Sequence, residues 1–219
     1  MTNFLLVAVL LLGLAVLASG RISGCIRLVA AQGAVLGAML VIAHHGHLSI
    51  HVLALAALTM VLKGLAIPWL LVRSMRVARV QREVDPYLGY TSSLVLGTIS
   101  VGVAFGLSHA LPLPHPAVSP VIVPVSLATS FIGLLLLVTR KKAVAQVLGY
   151  LVLENGILTF SLALGEGLPV MVELGILLDI FAAVFIMGIA IYHISKEFDS
   201  IDSNMLTQLN DLADDKRVG

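Results

Sequence analysis

Charge is scarce in this sequence: Asp, Glu, Lys and Arg make up 11% of its 219 residues, where a globular domain has about a quarter. With 59% apolar residues and a mean hydropathy of +1.06, a water-soluble globule is excluded. Cysteine is almost absent. The single Cys25 excludes a disulfide framework and any thiolate metal or cluster site made by this chain alone, so redox centres would belong to other subunits. A basic excess is missing too: the formal net charge of +1 gives no reason to expect nucleic acid or an acidic partner. No Lys or Arg precedes the first apolar run, and Arg21 follows it. That order is the reverse of a signal peptide, so the run is expected to stay in the membrane although Leu17-Ala-Ser-Gly resembles a cleavage site.

What remains is an all-α, polytopic membrane bundle. At roughly 20 residues per span, apolar runs near 2–20, 26–44, 51–73, 90–111, 119–139, 143–164 and 168–194 predict seven transmembrane helices, followed by a polar tail over 195–219. Basic residues fall in alternate connections: Arg21 and Arg27; Arg73, Arg76, Arg79 and Arg82; Arg140, Lys141 and Lys142; then Lys196, Lys216 and Arg217. Twelve of the thirteen therefore share one side, and only Lys63 is left over. The positive-inside rule then predicts an outside N-terminus and a cytoplasmic tail in a prokaryotic inner membrane.

Spans two and three resemble spans six and seven. The run from Arg27, RLVAAQGAVLGAMLVIA, lies beside KAVAQVLGYLVLENGILTF from Lys142, matching Gln32 with Gln146. Further on, Leu58-Thr-Met-Val-Leu-Lys63 lies beside Leu174-Gly-Ile-Leu-Leu-Asp179, which makes the two charges equivalent. The expected organisation within 1–194 is a parallel three-helix repeat, 1–73 and 119–194, joined by a connector helix over 90–111.

Charges inside a bilayer cost at least about 2.5–3.5 kcal/mol each and are functional candidates by default. At about 1.5 Å per residue, Lys63 and Asp179 lie roughly 18 and 16 Å from the outer ends of their spans, and Glu154 roughly 16 Å from the inner end of its own. All three are expected to share the midplane of a hydrocarbon layer about 30 Å thick. Gln146, Tyr150 and Glu154 recur every fourth residue, which puts amide, phenol and carboxylate on one helix stripe. Asn155 and Ser161 extend it outward, Asp179 shares a face with Ala183, Ile186, Ala190 and His193, and Glu173 sits nearer the outer surface. Protonatable groups at one depth suit a lateral proton path. The plainer alternative is a structural ion pair between Lys63 and Asp179 with Glu154 held by polar neighbours.

Other features carry less. His44, His45, His47 and His51 cluster at an outer connection without Cys, Asp or Glu, more like a wet interfacial loop than a metal site. Pro112, Pro114, Pro116 and Pro120 stiffen another loop. The arginines from Arg73 to Arg82 suit topology anchoring, anionic lipid or an acidic partner surface. Pro68 should kink span three just past Lys63. The tail from Ser195 reads as an exposed segment or a short helix that docks on a partner.

From Gln146 onward the sequence resembles a known family. AQVLGYLVLENGILTFSLAL, VELGILLDIFAAVFIMGIAIYHISKEF and IDSNMLTQL are similar to the hydrogenase-4 component E family, membrane subunits of formate hydrogenlyase-type complexes, and Lys63 and Gln32 fit its pattern. More distantly, each repeat resembles the K subunit of respiratory complex I and the C subunit of Mrp sodium/proton antiporters. Tyr150 stands where that family's first membrane glutamate falls, one turn from Glu154, and Asp179 lies near the second. The resemblance implies a non-catalytic subunit that contributes to proton or sodium translocation. It would link antiporter-like subunits to a redox arm whose soluble partners hold nickel-iron and iron-sulfur centres, with no cofactor or metal in this chain.

Two other classes of function compete: an independent ion or solute carrier, for which a parallel repeat with a midplane site is equally suited, and a purely structural assembly subunit. A retinal protein is disfavoured, because the last helix offers Asp179 in place of a Schiff-base lysine.

Overall fold

The structure is a computed structural model that describes residues 2–43, 50–77, 87–111, 119–164, 175–188 and 192. The described residues form an all-helical bundle: α1 Thr2–Ala18, α2 Ile22–Ala43, α3 Ile50–Val61, a π-helical turn Leu62–Ala66, α4 Ile67–Val77, α5 Tyr90–Ser108, α6 Ile122–Thr139, α7 Ala143–Leu164 and α8 Gly175–Gly188. Each of the seven sequence-predicted spans overlaps one of these helical segments, α3, the π turn and α4 together falling on the third and α2 starting four residues before the second. Five are long and apolar enough to cross a membrane, while Thr2–Ala18 and Gly175–Gly188 are shorter. Helices are what such composition demands, since lipid offers no hydrogen bonds and each backbone must satisfy itself. The hydroxyls follow the same rule: Thr98, Ser126, Thr129, Ser130 and Thr139 each donate to a carbonyl three or four residues back, which lets them sit in apolar helices.

Small residues set how closely the helices approach. Along the α6–α7 seam, a Cβ on Gly133 would collide with the Leu153 backbone, one on Gly149 with the Leu137 backbone, and one on Gly156 with Ser130. Elsewhere α1 packs on α2, α5 and α6, and α2 packs on α3, α4 and α7. The pairs α1–α6 and α2–α7 are those that the proposed repeat makes equivalent. Helix α5 is peripheral, with only Ser93, Gly97 and Ala104 buried.

The core divides into two apolar clusters. One gathers Val16, Leu17, Ile22, Leu71, Leu136 and Leu148, and the other Leu6, Leu36, Met39, Ile122, Leu158 and Leu162. Buried Gln32, Lys63, Thr129, Glu154, Asn155 and Asp179 fall between them along the chain, as a polar layer.

The first cluster lies at the end of the bundle where Arg21, Arg73, Arg76, Lys141 and Lys142 collect, the basic end. Arg140 departs from its expected place among these connection charges. Its side chain is 1% exposed; Nη2 donates to Leu17 O at 2.7 Å and the guanidinium lies 5.6 Å from the Tyr90 ring centroid. A cation there caps the orphan carbonyls and the negative pole of α1's C-terminus, so Arg140 ties α1, α5 and α6 together.

Candidate functional site: a buried charge cluster

Lys63 owes its position to an irregular helix. Pro68 has no N–H to offer the carbonyl four residues back, and the chain widens into the π turn Leu62–Ala66 just before it, a common solution to a broken ladder. Gly33 on α2 lets this segment approach: a Cβ there would lie 2.6 Å from Lys63 Cβ. The ammonium is thereby held inside the bundle, with Lys63 6% exposed.

Three side chains from two helices converge on that ammonium. Nζ lies 2.8 Å from Glu154 Oε1 of α7 and 3.5 Å from Asp179 Oδ1 of α8, and it donates to Asn155 Oδ1 at 3.2 Å. Three contacts match the three protons of an ammonium. The three charges expected at one depth are thus in direct contact. The pairing differs from the plainer sequence reading, because Glu154 is closer to Lys63 than Asp179 is. Two carboxylates face one cation, and Glu154 Oε2 and Asp179 Oδ2 have no hydrogen-bond partner among the described residues.

A polar relay runs from the cluster to α1. Asn155 Nδ2 donates to Gln32 Oε1 at 3.1 Å, and Gln32 Nε2 donates to Val9 O at 2.9 Å, in the space left by Gly13. Thr159 Oγ1 donates to Asn155 O. Gln32 and Asn155 therefore meet each other, a contact that the alignment of Gln32 with Gln146 does not suggest.

Gln146 and Tyr150 keep the stripe that their spacing predicts but do not bond to Glu154. Gln146 Nε2 donates to Arg140 O at 3.0 Å, and the Tyr150 hydroxyl is buried without a hydrogen-bond partner among the described residues. Ser161 donates to Leu158 O within its own helix. Glu173, Ala190 and His193 lie outside the described residues, as do His44, His45 and His47 of the histidine cluster. No group of three or more His, Cys, Asp or Glu that would hold a metal occurs among the described residues. Sequence reasoning passed over Gly33 and the π turn, although Pro68 signals the latter.

The sequence as a whole has relatives among known proteins. Over 187 residues, 85% of each chain, it is 33% identical to Uncharacterized protein Rv0085 of Mycobacterium tuberculosis. The chain belongs to the same family as that protein. Hydrogenase-4 component E of Escherichia coli and of Shigella flexneri is similar over a shorter stretch, 33% identical over 85 residues, or 39% of each chain. No protein-family model and no solved structure matches the chain.

Proposed function

We propose that this chain is a non-catalytic integral-membrane subunit of a respiratory or hydrogenase-type complex, and that its Lys63–Glu154–Asp179 cluster carries protons. The observation that carries the reading is the mismatch of charge: one ammonium and two carboxylates in contact, 4–6% exposed for Lys63 and Glu154 and 1% for Asp179. Unbalanced buried charge is expensive, so one added proton neutralises the cluster. The site is then a place where a proton is held, shared between coupled groups and released. The partial likeness to hydrogenase-4 component E supports placement in a hydrogenase-type assembly, with antiporter-like membrane subunits and a redox arm as partners. Nickel-iron and iron-sulfur centres would belong to those partners. In this reading the basic end faces the cytoplasm of a prokaryotic inner membrane, and the two three-helix halves meet where Lys63 touches Asp179.

One observation favours a structural role instead: the hydrogen-bonded line Val9–Gln32–Asn155–Lys63 ties α1, α2, α7 and the π turn together. Glu154→Gln separates the two readings, because it keeps shape and hydrogen bonding but removes the exchangeable proton. The expected outcome is a complex with normal subunit content, redox activity retained with artificial carriers, and proton pumping in reconstituted vesicles lowered at least several-fold. Glu154→Asp should retain part of the pumping. Wild-type pumping by the Gln variant would leave the structural role standing, and purification of the chain in mild detergent without other subunits would remove the complex.

A further inference from the structure

The Lys63 ammonium is surrounded by oxygens: Glu154 Oε1 at 2.8 Å, Asn155 Oδ1 at 3.2 Å and Asp179 Oδ1 at 3.5 Å. Carboxylate and amide oxygens are also the ligands that proteins offer to hard metal cations. The amide is turned toward Lys63 by the far end of its relay. Val9 O can only accept, so Gln32 gives it Nε2 and presents Oε1 to Asn155. Asn155 then spends Nδ2 on Gln32 and keeps Oδ1 for Lys63. A cage of oxygens suited to a cation is thus filled by a cation covalently tethered to the π turn.

We infer that Lys63 selects the ion: its ammonium stands where a metal cation would be held, so the cluster exchanges protons and shuts out sodium and potassium ions. That role for Lys63 rests on the proton-carrying reading of the cluster and adds the identity of the ion. One ammonium between two carboxylates leaves one negative charge in excess, to be neutralised by a proton or by a metal ion. A metal ion needs room beside several oxygens at once. Glu154 Oε2 and Asp179 Oδ2 are both enclosed by the bundle. The space of about 140 Å³ beside Glu154 is walled by Leu153, Ile157, Leu158 and Leu178, which cannot replace the hydration of an ion. Beside Lys63 and Asn155 there is only about 10 Å³, between Val29, Ile67 and Leu151, the least that one water needs. The ammonium cannot swing out to make way, because its Cβ is packed at the position that Gly33 leaves open. A proton adds no volume and can be taken up by either carboxylate.

The test reads cation binding apart from pumping. In the purified complex the wild-type thermal midpoint should be the same in sodium, potassium and choline chloride of equal ionic strength. In vesicles, the share of proton pumping that Glu154→Gln removes should be indifferent to the same exchange. Lys63→Ala empties the cage and leaves its oxygens in place. Sodium or potassium chloride should then raise the thermal midpoint by several degrees over choline chloride, in a saturable way, and adding Glu154→Gln should abolish the rise. Lys63→Arg keeps a tethered cation and should show no rise. Where Lys63→Ala lowers subunit content too far, the wild-type measurements decide. A wild-type midpoint or Glu154-dependent pumping that requires sodium or potassium would overturn the selection, and so would a Lys63→Ala midpoint indifferent to both ions. Metal-stabilised Lys63→Ala together with normal pumping by Glu154→Gln would keep Lys63 as the occupant of the cation position and remove the proton-carrying role. Pumping lost in Glu154→Gln, with Lys63→Ala indifferent to both ions, would do the reverse.

Discussion

Lys63 has two carboxylates for one positive charge, and the energetics of the site follow from that. Removing the cation alone leaves Glu154 and Asp179 facing each other in a dry interior, and breaking a buried pair in this way costs about 3–5 kcal/mol. Lys63→Met should therefore lower the amount of subunit in the membrane and its thermal midpoint in detergent. Combining it with Glu154→Gln and Asp179→Asn should recover most of the loss, because the uncompensated charges disappear with their partner. Strictly additive losses across that series would show that the three side chains are uncoupled. The pairing of Lys63 with Asp179 was legible from the aligned repeats. Its closer contact with Glu154 was not, because two helices of equal depth are ranked only by how each is rotated about its axis.

Between α6 and α7 the contact is made by absent side chains. Gly133, Gly149 and Gly156 let the backbones meet, and this close approach holds Glu154 and Asn155 at a fixed height against the rest of the bundle. Gly156→Leu should force the pair apart at an overpacking cost of about 1–3 kcal/mol, seen as a lower thermal midpoint and, on the proposed function, a loss of proton pumping. Gly102→Leu on α5 is the control: nothing lies within 4 Å of a Cβ there, so it should be neutral. A glycine in an apolar run carries no label in sequence that separates these two positions. The π turn was partly legible, since Pro68 announces a broken ladder, but the turn's ability to hold Lys63 in the bundle depends on Gly33 of another helix.

Viewed from end to end, the molecule has two apolar clusters with polar side chains between them and basic residues at one end. Arg21, Arg73, Arg76 and Lys141 are exposed at that end, while Leu111 is exposed after α5 at the other. By the positive-inside rule, we propose that the basic end faces the cytoplasm. In intact cells an impermeant thiol reagent should reach Leu111→Cys and miss Lys141→Cys, and efficient external labelling at Lys141→Cys would invert the topology. Arg140 limits the charge argument. It counts as a basic connection residue in sequence, yet it is buried as the cap of α1, so the bias rests on its neighbours.

Hydropathy, span length and the placement of basic residues are properties of the linear chain. They specified the helical segments, their alternation and the shared depth of Lys63, Glu154 and Asp179, because 1.5 Å per residue converts position directly into depth. Helix rotation and close approach are set by packing between segments far apart in sequence. The choice of Glu154 as the nearer partner of Lys63, the Asn155–Gln32 bond and the burial of Arg140 all depend on which faces meet, and only the folded bundle fixes those faces.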